Sequence, residues 1–143
     1  EPHGLGLLMA EAVLSLEGCR CVSLGVQTPG WDIVRAAIAL DAEVVALSYT
    51  GCTNPNGVID GLTELRAKLP AAVELWAGGS APVLQRRAID GVRVIPTLRQ
   101  VGPALAEPIA PDNCASAKRT NSASAGSAFQ SAAPCAAAKA ASC

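Results

Sequence analysis

Apolar residues recur along the first 106 positions in two rhythms, one helical and one unbroken, and the two alternate. Leu7 to Leu16 carries Leu8, Ala12 and Leu16 on one stripe and stops at Gly18, which predicts a helix. Cys21 to Leu24 reads as a strand closed by Gly25. Beyond Pro29, Ile33, Ala37 and Leu40 share a face and predict a helix over Trp31 to Leu40. Glu43 to Ser48 is a second strand, and its uninterrupted Val44–Leu47 run predicts burial on both sides. A Gly/Asn/Pro loop over Thr50 to Gly57 leads to a helix from Val58 to Leu69, stopped by Pro70. Val73 to Ala77 is a third strand, punctuated by Gly78 and Gly79. Ala81 to Ile89 reads as a short helix or loop, Val92 to Ile95 as a fourth strand, and Leu98 to Ala106 as a last helix containing Pro103.

Strands alternating with helices in this way predict parallel βαβ units and an α/β fold, a doubly wound (Rossmann-like) parallel sheet of the flavodoxin-like kind. Ligands of such sheets sit beyond the carboxyl ends of the strands. Three clusters, Glu1 to Gly6, Ser48 to Gly57 and Gly78 to Pro82, follow strands or precede helices, so they converge on one rim. The chain opens on a helix, however, whereas a flavodoxin-like sheet begins with a strand placed centrally in the order 2-1-3-4-5. The sheet is therefore expected to be truncated at its first strand, with two neighbours left unpaired, and the chain to be a fragment of a longer protein.

Composition changes at residue 107. Of the 37 residues from Glu107 to Cys143, 13 are Ala and 6 are Ser, with no Leu or Val. Side chains that small cannot offset the entropy of ordering, so residues 1–106 are expected to form the domain and 107–143 a disordered tail carrying no site. Ala137 to Ala141 is a helix at most marginally.

Charge narrows the partners. Eleven basic and 12 acidic residues leave a net charge of −1, without the clustered Lys and Arg that nucleic acid or an anionic membrane requires. No apolar run approaches the ~18 residues of a spanning helix. Aromatic residues make up 3% of the chain, too few for a platform that stacks single-stranded bases. The six cysteines form no CxxC, and a lone His excludes zinc-finger patterns. With no leader at the first residues, a reduced, cytoplasmic setting is expected.

Each cluster has a bland reading and a chemical one. His3 is a solvent-exposed residue near a chain end, or a metal ligand whose second nitrogen is held by Glu1, with Gly4 and Gly6 leaving room for a flat group. Ser48 to Thr53 is a polar strand-to-helix turn, or a set of hydroxyls and N–H groups facing a phosphate or a ring nitrogen, as in the T-x-T-G-x-T loop of flavodoxins. Gly78 and Gly79 make a sharp turn or let the backbone approach a bulky group.

Together the clusters are far more specific. Glu1-Pro2-His3-Gly4-Leu5-Gly6 resembles the D/E-x-H-x-x-G motif of methionine-synthase-like cobalamin-binding domains, placed before the first helix as in that family. Ser48-Tyr49-Thr50 matches the family's S-x-L/T element and Gly78-Gly79 its G-G element, in the same order and at similar spacing. Leu7 to Glu11 and Leu24 to Val34 look most like the cobalamin-binding domain of MerR-type transcriptional regulators, the light-sensing ones among them. The resemblance covers residues 1–106. It implies a non-enzymatic sensor domain that binds adenosylcobalamin or methylcobalamin. His3 would be the lower axial ligand to cobalt and Glu1 would orient it. Gly6 would pack against the displaced nucleotide tail. Ser48 would hydrogen-bond the dimethylbenzimidazole, with Thr50 lining the same slot, and Gly78 and Gly79 would border the channel. The family also implies a homo-oligomer in the full-length protein. This chain carries no winged helix, so no direct nucleic-acid contact is expected of it, and none with a membrane.

Two other readings share the fold. The same site serves as the cofactor-carrying domain of cobalamin-dependent methyltransferases and mutases, and an FMN-binding flavodoxin-like protein would place its phosphate loop after the first strand. Other chemistry lacks its residues. Asp32, Asp41, Asp60 and Asp90 fall on helices or turns rather than forming a phospho-receiver's acidic pocket, and neither a G-x-S-x-G elbow nor a P-loop occurs. Trp31 and Trp76 read as core or rim residues, and Arg86 and Arg87 as a solvated face.

Overall fold

A computed structural model of the chain describes residues 4–107, and residues 134–139 along the backbone. Helix α1 (Leu5–Leu16) leads into β1 (Arg20–Val26), α2 (Gly30–Ala39), β2 (Val44–Tyr49), α3 (Pro55–Lys68), β3 (Glu74–Gly79), the single turn α4 (Val83–Arg86) and β4 (Val92–Ile95). A 3-10 turn (Leu98–Gln100) runs into α5 (Val101–Ala106), and β5 (Pro134–Lys139) ends the described chain.

Local chemistry sets these limits. Gly18, at φ +85°, takes the left-handed position after α1, and the N–H groups of Cys19 and Gly18 return to the carbonyls of Leu14 and Ser15. That is a Schellman ending. Helix α3 starts at Pro55, three residues before the apolar rhythm does. The Asn54 side chain accepts the N–H of Asn56 at 3.0 Å, and Pro55 fills the first helical position, where no N–H is required. The stretch read as loop is thus a cap. Pro103 is tolerated in α5 for the same reason, being in its first turn.

The five strands form one parallel sheet in the order β1-β5-β2-β3-β4. Two apolar layers cover it. Val45, Leu47, Tyr49, Leu75 and Ala77 face α2, α3 and α4 through Ile33, Val58, Leu62 and Leu65. On the other side, Val44 and Trp76 face α1 and α5 through Leu14, Val101 and Ala104. Helices on both faces of a parallel sheet make the flavodoxin-like α/β fold that the pattern predicts.

Two expectations change. The predicted stripe of α1 points outward: Leu16 is 87% exposed and Leu8 61%, while Leu7 and Leu14 are buried. The helix is apolar on nearly every side, so periodicity alone did not select its inner face. Among the described residues no strand precedes α1, as expected, but the two neighbours of that missing strand are not left unpaired. β5 lies between β1 and β2, the position that the order 2-1-3-4-5 reserves for that strand, and pairs in parallel with both. Residues 134–139, read as part of a disordered tail, are a central strand. Backbone pairing to two neighbours outweighs the weak strand preference of alanine. The rest of the tail read as disordered, 108–133 and 140–143, lies outside the described residues.

Candidate functional site

The carboxyl ends of β2 and β3 bring two of the sequence clusters together residue by residue. Ser48 pairs in register with Gly78, and Tyr49 with Gly79. Gly79 sits at φ +105°, and a Cβ there would collide with the Tyr49 carbonyl oxygen. Only glycine satisfies both the conformation and the approach. The strand loops are then tied to each other. The Ser80 N–H donates to the Tyr49 carbonyl at 2.9 Å, and the Gly51 N–H donates to Ser80 Oγ at 3.0 Å.

Below this rim a cavity of about 430 Å³ runs between the sheet and the pair α1 and α5. Gly6, Leu7, Ala10 and Leu14 of α1 line one wall, and Ala46, Ser48, Trp76 and Gly78 of the sheet the other. Leu14, Trp76 and Val101 are buried at its floor. The exposed Gly79, Ser80, Pro96 and Thr97 are at its mouth. The Trp76 indole N–H donates to a Glu74 carboxylate oxygen at 2.7 Å, and the Arg93 guanidinium lies 5.8 Å from the ring centre. The ring's polar edge is thereby satisfied, and its apolar body is left to bound the cavity.

Glycine shapes this slot at two further points. A Cβ on Gly6 would come within 3.4 Å of Ser48 Oγ, and one on Gly78 within 3.0 Å of the Ile95 carbonyl oxygen. The Ser48 hydroxyl makes no hydrogen bond to the described residues, so it remains open to a ligand in the slot. A mostly apolar cleft with few polar groups, of this size, is the usual form of a small-molecule site.

Four of the candidate residues, Gly6, Ser48, Gly78 and Gly79, therefore line one cavity. Thr50 does not line it. Its Oγ1 faces Thr53 Oγ1 at 3.5 Å, where Thr53 is buried. Glu1 and His3, and with them the proposed metal ligand, lie outside the described residues. Gly4, next in the chain to His3, starts α1 beside Val26 at the end of β1. Among the described residues no cluster of three His, Cys, Asp or Glu is placed to hold a metal ion, and no helix is long and apolar enough to cross a membrane. Tyr49 points into the opposite core, and burial pushes its phenol up to about 12.

Sequence reasoning missed the loop after β4. Ile95, Pro96, Thr97 and Leu98 close the cavity, and Trp76, read as core or rim, is part of its wall. The signal was available, since the rim rule applies to the fourth strand as much as to the second and third.

Comparison with known proteins gives one curated relative. Over 81 residues the chain is 38% identical to the HTH-type transcriptional repressor CarH of Myxococcus xanthus, a match covering 57% of this chain and 27% of the repressor. The chain thus spans about a quarter of that relative's length. No family model matches the chain, and no solved structure matches it.

Proposed function

We propose that this chain is the cobalamin-binding sensor domain of a transcriptional regulator. The observation that carries the reading is the single slot in which Gly6, Ser48, Gly78 and Gly79 meet. Those residues were singled out by motif, from three separate stretches of sequence, and they share one cavity. Similarity to a transcriptional repressor supports the regulatory role over the methyltransferase and mutase alternatives.

The slot fits a flat, largely apolar group carrying one hydrogen-bonding nitrogen, which is the chemistry of a dimethylbenzimidazole tail. The glycines remove the side chains that would fill the space, and the Ser48 hydroxyl offers the polar contact. In this reading His3 is the lower ligand to cobalt and Glu1 fixes its tautomer, raising its basicity. The reactive cobalt–carbon bond belongs to the cofactor, and the protein supplies position and ligation.

The test is a visible absorption spectrum of the full chain after incubation with adenosylcobalamin and desalting. Retained cofactor is expected. His3→Ala is expected to change the spectrum, because it removes the ligand, and Ser48→Leu to abolish retention by filling the slot. A chain that retains no cofactor, or retention indifferent to both substitutions, would overturn the proposal.

A further inference from the structure

The face of the sheet under α2 and α3 has a cavity of its own. It measures about 220 Å³ and lies between β2, the start of α2 and one side of α3. Ile33, Leu47 and Leu65, all buried, line its inner part. Trp31 lines it too, although this residue is 56% exposed, and the Arg35 guanidinium lies 5.6 Å from its ring centre. A tryptophan so exposed adds little to the core, and here it stands beside an opening.

One polar group reaches this space from within the sheet. Side chains alternate along β2, so Tyr49 turns away from the larger slot that Ser48 lines. Tyr49 is only 5% exposed, yet its hydroxyl makes no hydrogen bond to the described residues. Among those residues every sealed side-chain oxygen has a partner, so the Tyr49 hydroxyl is not sealed and meets the cavity that its ring lines. A buried phenol ordinarily finds a partner, because leaving it unpaired costs free energy. Thr28, also in the lining, is already committed, since its hydroxyl donates to the Leu24 carbonyl at 2.8 Å. The exposed Lys68 and Glu64, one helical turn apart, bond to each other at 2.5 Å. Their charges cancel, so the opening selects neither an anion nor a cation.

We propose that this cavity binds an uncharged single-ring aromatic molecule carrying a hydrogen-bond acceptor, to which the Tyr49 hydroxyl donates. An apolar cavity of about 150 Å³ admits benzene, so this one has room for a ring and a polar substituent. A charged substituent would lose its water with no free counter-charge to receive it, which favours a neutral acceptor such as a carbonyl. Gly61 keeps the entrance clear, since a Cβ there would meet nothing within 4 Å. The site is separate from the slot beneath α1 and independent of the ligand that slot takes.

The two tryptophans supply the readout, because Trp31 lines this cavity and Trp76 the other. The full chain, isotopically labelled on nitrogen, is titrated with acetophenone and, separately, with toluene, a ring without an acceptor. Both indole N–H cross-peaks are followed by NMR and assigned with Trp31→Phe. Acetophenone is expected to shift the Trp31 cross-peak saturably. Tyr49→Phe is expected to weaken acetophenone roughly 3- to 10-fold, the share of one hydrogen bond, and to leave toluene within about a factor of two. Gly61→Leu fills the opening without a clash and is expected to abolish the shift with either ligand. A Trp31 cross-peak that acetophenone leaves in place, or that shifts as readily in Gly61→Leu, would overturn the site. Tyr49→Phe weakening both ligands alike, or neither, would overturn the hydroxyl as the recognising group.

Discussion

Gly79 illustrates how much one residue position can decide. Its φ of +105° and the closeness of the Tyr49 backbone leave no room for a side chain. Gly79→Ala is expected to lower unfolding free energy by roughly 1–3 kcal/mol, the cost of strain at a position reserved for glycine, as measured by urea unfolding. Gly61, on the exposed side of α3 with nothing near its Cα, makes the opposite case. Gly61→Ala is expected to stabilise by about 0.5–1 kcal/mol. Tyr49 contributes a pH dependence. Its phenol ionises near 12 in the folded chain, against an ordinary value of 10. The stabilising difference is complete below pH 10 and is lost as pH rises from there to about 12, because the unfolded chain gives up the proton first. The loss is on the order of 2–3 kcal/mol, and Tyr49→Phe should flatten that limb of the stability profile. At this scale part of the cavity's lining was legible: Ser48, Gly78 and Gly79 announce themselves as a polar residue and a glycine pair ending buried strands. Thr50 falls outside the cavity: a hydroxyl two residues further on looks equivalent in sequence, yet the turn directs it toward Thr53.

Elements were legible where two signals agreed and not where they conflicted. β2 was readable as a doubly buried strand because an unbroken apolar run has no other stable setting in an α/β protein, and its residues alternate between the two cores. The inner face of α1 was not readable, because leucine occupies both sides: Leu14 is 1% exposed and Leu16 87%. The two therefore separate cleanly by mutation. Leu14→Ala is expected to cost about 2–5 kcal/mol, the range for truncating a fully buried leucine. Leu16→Ala is expected to stay within about 0.5 kcal/mol of the parent, and equal effects in thermal unfolding would mean that the helix is turned the other way. β5 was hidden for a different reason. Its pairing partners lie 91 to 114 residues away along the chain, and alanine, lysine and one cysteine carry no strand pattern of their own. Only the vacancy in the predicted strand order pointed to it, and that vacancy was read as a truncation.

The whole molecule is asymmetric about its sheet, and the asymmetry couples ligand binding to stability. The face under α2 and α3 carries the larger apolar cluster and a cavity of about 220 Å³, whereas the face under α1 and α5 holds the cavity of about 430 Å³ beneath the rim. α5 is six residues long, and α1 meets it closely enough that a Cβ on Gly102 would touch the Glu17 carboxylate. The layer that holds the cavity stands to gain contacts from whatever fills it. A ligand that binds the folded chain alone stabilises it by about 2.7 kcal/mol at a hundred times its dissociation constant. For a domain of this size, that corresponds to a rise in melting temperature on the order of 10 °C. Adenosylcobalamin is expected to produce that rise in the full chain, and amide hydrogen exchange should slow most in α1 and α5 rather than in α2 and α3. A uniform slowing across both faces would place the ligand elsewhere. With Ser48→Leu the cavity is occupied by the protein itself, so the same concentration of cofactor should leave the melting temperature unchanged.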